Sequence, residues 1–126
     1  MFKAFLILYG IVFTALGILG FIPFFAPEGS LFLLFKVNLA TNIIHFVIGV
    51  VALLLLLGQS YYERLYFQII GFIFAILALF GFVYGATPVL GFIANNCALT
   101  WFHMIAAVGA LILGFGTPNS LEKRRK

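Results

Sequence analysis

Two runs of polar residues are the places in this chain where chemistry could occur. Asn38, Asn42 and His45 have the same mutual spacing as Asn96, Thr100 and His103. Positions i, i+4 and i+7 fall on one face of an α-helix, so each run forms a polar stripe about two turns long. The plainest chemistry for such stripes is hydrogen bonding between helices, since a neutral imidazole carries one donor and one acceptor and can bridge two neighbours. Three other chemistries use the same atoms. Two histidines at one level can ligate a haem axially. Imidazole and amide oxygen can hold a transition metal, but no carboxylate joins them and Cys97, next to Asn96, lies off the stripe, a thin set for zinc or copper. A histidine pair can also belong to a proton or small-solute pathway from the outer face, because imidazole titrates near neutral pH. No intramembrane Asp, Glu, Lys or Arg continues that route inward. Hydrogen bonding is the favoured reading, haem or metal at His45 and His103 the alternative, and the solute or proton path the second alternative.

Little else is equipped for catalysis. Glu28, Glu63 and Glu122 are far apart, and the serines are Ser30, Ser60 and Ser120. There is no nucleophile–base pair, no glycine-rich phosphate loop and no paired carboxylates, so the chain is expected not to be an enzyme. Cys97 is the single cysteine and cannot form an internal disulfide.

The stripes need elements to position them, and composition says what those are. Of 126 residues, 65% are apolar and 8% charged, seven basic and three acidic. A soluble domain carries roughly 25% charged residues, and ten charges cannot coat a globule of this size. A soluble enzyme, a nucleic-acid-binding domain and a disordered tail are all excluded. The net charge of +4 does not reverse this, because four of the seven cations are Lys123, Arg124, Arg125 and Lys126, a tail rather than a face.

Crossing about 30 Å of hydrocarbon takes roughly 20 apolar residues. Four segments qualify, at about 4–22, 39–57, 65–84 and 97–115. Each must be helical, because unpaired backbone cannot lie in lipid, and none shows the strict alternation of a barrel strand. The first is expected to be a retained helix rather than a signal peptide. It is longer than a typical apolar signal core, and Phe24-Phe25-Ala26-Pro27 after it offers no cleavage site.

The chain repeats itself. Gly10, Phe13, Gly20 and Phe21 recur as Gly71, Phe74, Gly81 and Phe82, 61 positions on, and the second stripe follows the first by 58. Each half is therefore a helical hairpin, and both run in the same sense, with a pseudo-two-fold axis along the membrane normal. The expected fold class is all-α: a polytopic four-transmembrane-helix bundle made of two parallel helical-hairpin repeats, in a single membrane domain. Lys3, Arg64 and the basic tail at 117–126 lie on one side and only Lys36 on the other, which places both termini in the cytoplasm. The outer loop at 23–38 is apolar but too short to span, so it is expected to lie in the interface or fold back over the bundle.

The remaining features have plain readings. Glycines in the spans allow close helix approach. Tyr61, Tyr62 and Tyr66 are expected at the cytoplasmic boundary and Trp101 near the outer one. Lys123, Arg124, Arg125 and Lys126 can hold anionic lipid headgroups, although a topology anchor is the plainer role.

Leu19-Gly20-Phe21-Ile22-Pro23, Val37-Asn38 through His45, Gly71 through Phe82 and Asn96 through His103 carry a resemblance that covers nearly the whole chain. Over these residues the chain resembles a bacterial four-helix integral membrane family described as a domain of unknown function, with a histidine repeated in helices two and four. Thr100 departs from the repeat, since the first half has Asn42 there. The resemblance implies the architecture and a bacterial inner membrane location, and carries no activity. The expectation is a non-catalytic structural or regulatory membrane component without a cofactor. Its partners are the lipid bilayer and, in addition, copies of itself or a membrane complex, not nucleic acid.

Overall fold

The computed structural model describes residues 2–58 and 62–116. The tail Lys123–Lys126 and Tyr61 lie outside the described residues. The chain forms α1 (Phe2–Leu19), a 3-10 turn (Pro27–Gly29), a two-residue ribbon of β1 (Ser30–Leu31) and β2 (Phe35–Lys36), α2 (Leu39–Leu55), α3 (Glu63–Tyr84) and α4 (Cys97–Gly116). It is an all-α polytopic membrane protein, and the ribbon is a minor addition. Helices α1, α3 and α4 are long and apolar enough to cross a bilayer, and α2 is an apolar helix of 17 residues. Helix α1 stops at Leu19 rather than continuing to Ile22, because the chain turns at Gly20 and Phe21.

Two antiparallel pairs carry most of the helix packing, α1 with α2 and α3 with α4. Small residues let them close. A Cβ on Gly20 would collide with the side-chain oxygen of Asn42, and one on Gly81 would collide with the Thr100 hydroxyl. These contacts are equivalent under the repeat, so each polar stripe is seated against a glycine of its own hairpin.

The two hairpins meet through large side chains rather than close backbone approach. Phe13 of α1 and Phe74 of α3 stack at 4.8 Å between ring centroids. Tyr9 packs edge-on against Phe67 at 5.3 Å. Phe67 and Phe74 are fully buried, which puts an aromatic layer at the centre of the bundle. Among the described residues the exposed helix faces are largely apolar, including Leu8, Ile11, Leu54, Ile76, Leu79 and Ile112.

The outer loops also obey the repeat. In the first, Leu34 N–H bonds to the Leu31 carbonyl at 3.0 Å, and Phe32 and Leu33 have φ of 55° and 59°. In the second, Phe92 N–H bonds to the Val89 carbonyl at 3.2 Å, and Leu90 and Gly91 have φ of 53° and 85°. Both are tight turns with left-handed central residues, the type I′ pattern. The three residues by which the halves differ fall before these turns, around the Pro27–Gly29 segment.

Candidate functional site

Each polar stripe starts at a helix N-terminus, where backbone N–H groups lack intrahelical partners. Asn38 is the N-cap of α2. Its Oδ1 accepts from Thr41 N–H at 3.1 Å while the Thr41 hydroxyl accepts from Asn38 N–H at 2.7 Å, a reciprocal cap. Asn96 plays the same part for α4, its Oδ1 accepting from Leu99 N–H at 3.0 Å. The free amide of each reaches the other half. Asn38 Nδ2 donates to the Phe92 carbonyl at 2.8 Å, and Asn96 Nδ2 donates to the Leu34 carbonyl at 2.9 Å. Both acceptors close the left-handed turns just described, so each helix cap holds the opposite loop.

Two turns deeper, the histidines meet. His45 Nε2 and His103 Nε2 are 2.9 Å apart, and both side chains are buried. Phe13 lies 5.6 Å from the His45 ring and Phe74 lies 5.2 Å from the His103 ring. The pair thus sits on the pseudo-two-fold axis in an aromatic box. Its chemistry is that of one hydrogen bond between unlike tautomers. A tetrahedral metal ion held at about 2.0–2.1 Å by both nitrogens would set them about 3.3 Å apart, somewhat wider than the pair stands. Among the described residues, no three or more His, Cys, Asp or Glu side chains group as metal ligands. Cys97 is exposed.

Asn42 and Thr100 do not join the histidines across the axis. Each faces its own hairpin, and here the halves diverge. The Thr100 hydroxyl donates to Asn95 Oδ1 at 2.9 Å, and Asn95 Nδ2 bonds to the carbonyls of Gly81 at 3.2 Å and Gly85 at 2.6 Å. Asn42 Oδ1 is buried against Gly20 without a hydrogen-bond partner, as is His45 Nδ1 one turn along the same helix.

Five residues outside the stripes, Asn95, Tyr9, Tyr66, Arg64 and Gln68, extend the polar framework. Asn95 was hidden from repeat comparison because its equivalent is Val37. Tyr9 O–H donates to the Ala106 carbonyl and Tyr66 O–H to the Ile48 carbonyl, each at 2.8 Å and each crossing between hairpins. The acceptors are repeat equivalents, three residues after each histidine, whereas the tyrosines are displaced by one helical turn. Tyr66 is buried, whereas Tyr62 is exposed. It lies in the first turn of α3 on the inward face, where a buried phenol needs an acceptor. At the opposite end from the Asn caps, Arg64 Nε and Gln68 Nε2 each donate at 2.8 Å to the Gly114 carbonyl, closing the last turn of α4.

No curated protein and no solved structure matches the chain. Residues 3–116 match the family model described as Domain of unknown function (DUF4383), so the chain belongs to that family.

Proposed function

We propose that this protein is a non-catalytic structural or regulatory component of the bacterial inner membrane, with both termini cytoplasmic, working as a homo-oligomer or as a subunit of a membrane complex. The observation that carries this reading is the reciprocal tie at Asn38 and Asn96, each donating to the other half's turn. With the histidine pair and the two cross-bundle tyrosines, it makes six polar side chains act as fasteners between the two hairpins. Such bonds are worth roughly 0.6 kcal/mol each in membrane bundles, so their value is register and uniqueness as much as stability. The cytoplasmic orientation is supported by six of the seven basic residues lying on the side of the termini.

The test uses the purified full chain. His45→Gln should lower the melting temperature in detergent, and the wild type should show no Soret band and no stoichiometric metal. An unchanged melting temperature, a haem spectrum or one metal per chain would each overturn the reading. Orientation is checked by labelling single cysteines, in a Cys97→Ser background, after Pro27 and in the tail. Labelling of the tail from outside would reverse it.

A further inference from the structure

The end of the bundle away from the termini carries two apolar turns that no packing inside the chain accounts for. Phe32, Leu33 and Leu90 hold left-handed backbone, with φ of 55°, 59° and 53°, at positions where turns of this kind favour Asn or Gly. Leu33 is 80% exposed and Leu90 56%, and Phe32, Leu34 and Phe92 beside them are exposed as well. Strained backbone persists only where its surroundings over-determine it. The contact that compensates these large apolar side chains therefore lies outside the chain.

Both turns are pinned at membrane depth. The Leu34 carbonyl accepts from Asn96, which caps α4, and the Phe92 carbonyl accepts from Asn38, which caps α2. Each tip is thus held level with the point where an apolar helix of the opposite hairpin begins. The first ribbon also leans down the bundle, since the Phe35 ring lies 5.1 Å from that of Phe102, about 9 Å further along α4 than Asn96. The backbone suits contact with lipid, where polar groups must be paired. The N–H groups of Phe32, Leu33 and Leu34 donate to the carbonyls of Phe25, Ser30 and Leu31, and those of Gly91 and Phe92 donate to Pro88 and Val89. Glu28 and Lys36, the charged residues of this end, are exposed at the base of the ribbon and not at its tip.

We propose that the two turns are paired membrane anchors, their apolar tips inserted into the headgroup–acyl boundary of the leaflet away from the termini and held at that depth by Asn96 and Asn38. The surface they join is already lipid-facing, because the exposed apolar faces of the helices run up to it. Inserting the tips removes apolar area from water while the charged base stays among the headgroups. The tips are repeat equivalents, so they flank the pseudo-two-fold axis, and interfacial anchors on both sides of it set the tilt of the bundle. This goes beyond the proposed structural role and holds whichever way the termini face. Unfolding in detergent does not read the contact, because a micelle meets the tips in the folded and unfolded chain alike.

The test reconstitutes the full chain in phosphatidylcholine vesicles with a nitroxide spin label on Leu33→Cys or Leu90→Cys, one at a time in a Cys97→Ser background. Depth is read from collisions with oxygen, which concentrates in the bilayer, against those with a water-soluble nickel chelate. Both tip labels should lie about 5–10 Å inside the boundary, and a label on Glu28→Cys should stay on the water side. Asn96→Asp keeps the cap acceptor but has no donor for the Leu34 carbonyl. It should shift the Leu33 label toward water and leave the Leu90 label in place. Asn38→Asp should do the converse, through the Phe92 carbonyl. Tip labels in the aqueous phase would overturn the proposal and leave the turns as a surface for a protein partner. So would one tip immersed without the other, a Glu28 label as deep as the tips, or tip depths that ignore both Asn variants.

Discussion

His45 and His103 share one hydrogen bond through like atoms, Nε2 to Nε2 at 2.9 Å, so the two rings cannot be in the same tautomer. One donates from Nε2 and the other accepts there and keeps its proton on Nδ1. His45 Nδ1 is buried without a partner, and a lone pair is less costly to orphan than an N–H. His45 is therefore expected to carry its proton on Nε2 and His103 on Nδ1. Nitrogen-15 shifts of the imidazoles in bilayer samples report this directly. The opposite assignment would mean that His45 Nδ1–H has found a partner such as a bound water.

The Asn38 and Asn96 amides separate two roles in one side chain, capping and bridging. Asn38→Ala should destabilise the detergent-solubilised protein by about 0.5–2 kcal/mol, the usual range for a lost N-cap. Asn38→Asp keeps the cap acceptor for Thr41 N–H but has no donor for the Phe92 carbonyl. If the bridge contributes, Asp will rescue only part of the loss, and Asn96→Asp will behave alike because its bond to the Leu34 carbonyl is equivalent. Chemical unfolding midpoints of the variants decide it. Full rescue by Asp at both sites would show that the caps act locally and the bridge adds nothing.

Much of this framework was legible in the sequence because it repeats. The spacing of Asn38 and His45 against Asn96 and His103 anticipates two stripes at equal depth, and the histidine pair joins them on the axis. The partners of the asparagines were not legible, since a backbone carbonyl leaves no mark in residue type. Tyr9 and Tyr66 are off the repeat register by a turn, so their equivalence emerges only from the acceptors, Ala106 and Ile48. Asn95 breaks the repeat outright. It satisfies Thr100 in the second half, while Asn42, with Val37 in place of that asparagine, leaves its Oδ1 unpaired in the first.

Close packing inside the first hairpin depends on Gly49. A Cβ there would collide with the backbone nitrogen of Thr14 and come within 2.8 Å of the Phe13 carbonyl carbon, and neither backbone atom can rotate away. Gly49→Ala is expected to cost about 1–3 kcal/mol, the range for overpacking. Gly58→Ala serves as the comparison, since nothing lies within 4 Å of its Cβ position, and it should change stability by less than about 0.5 kcal/mol. Unfolding in detergent measures both. Equal effects would mean that α1 and α2 are not in van der Waals contact at Gly49.

At the second central position the two outer turns differ in kind, with Leu33 in the first and Gly91 in the second, at φ of 59° and 85°. Left-handed backbone costs an L-residue with a side chain roughly 1–2 kcal/mol, a cost absent at Gly91. Leu33 is 80% exposed, so its side chain gains little from packing in return. Leu33→Gly relieves the strain but enlarges the freedom of the unfolded chain, which offsets about 0.4–1 kcal/mol of the gain. The net expectation is a protein more stable by roughly 0.5–1 kcal/mol, with Gly91→Leu losing a similar amount. Because Leu34 accepts from Asn96 and Phe92 from Asn38, the strained turn is held from the opposite hairpin. Leu33→Gly should therefore stabilise less when Asn96 has been replaced by alanine, because a turn freed of that tie can shed part of its strain without the substitution. Measured equality of the gain in the two backgrounds would show that the tie and the turn act independently.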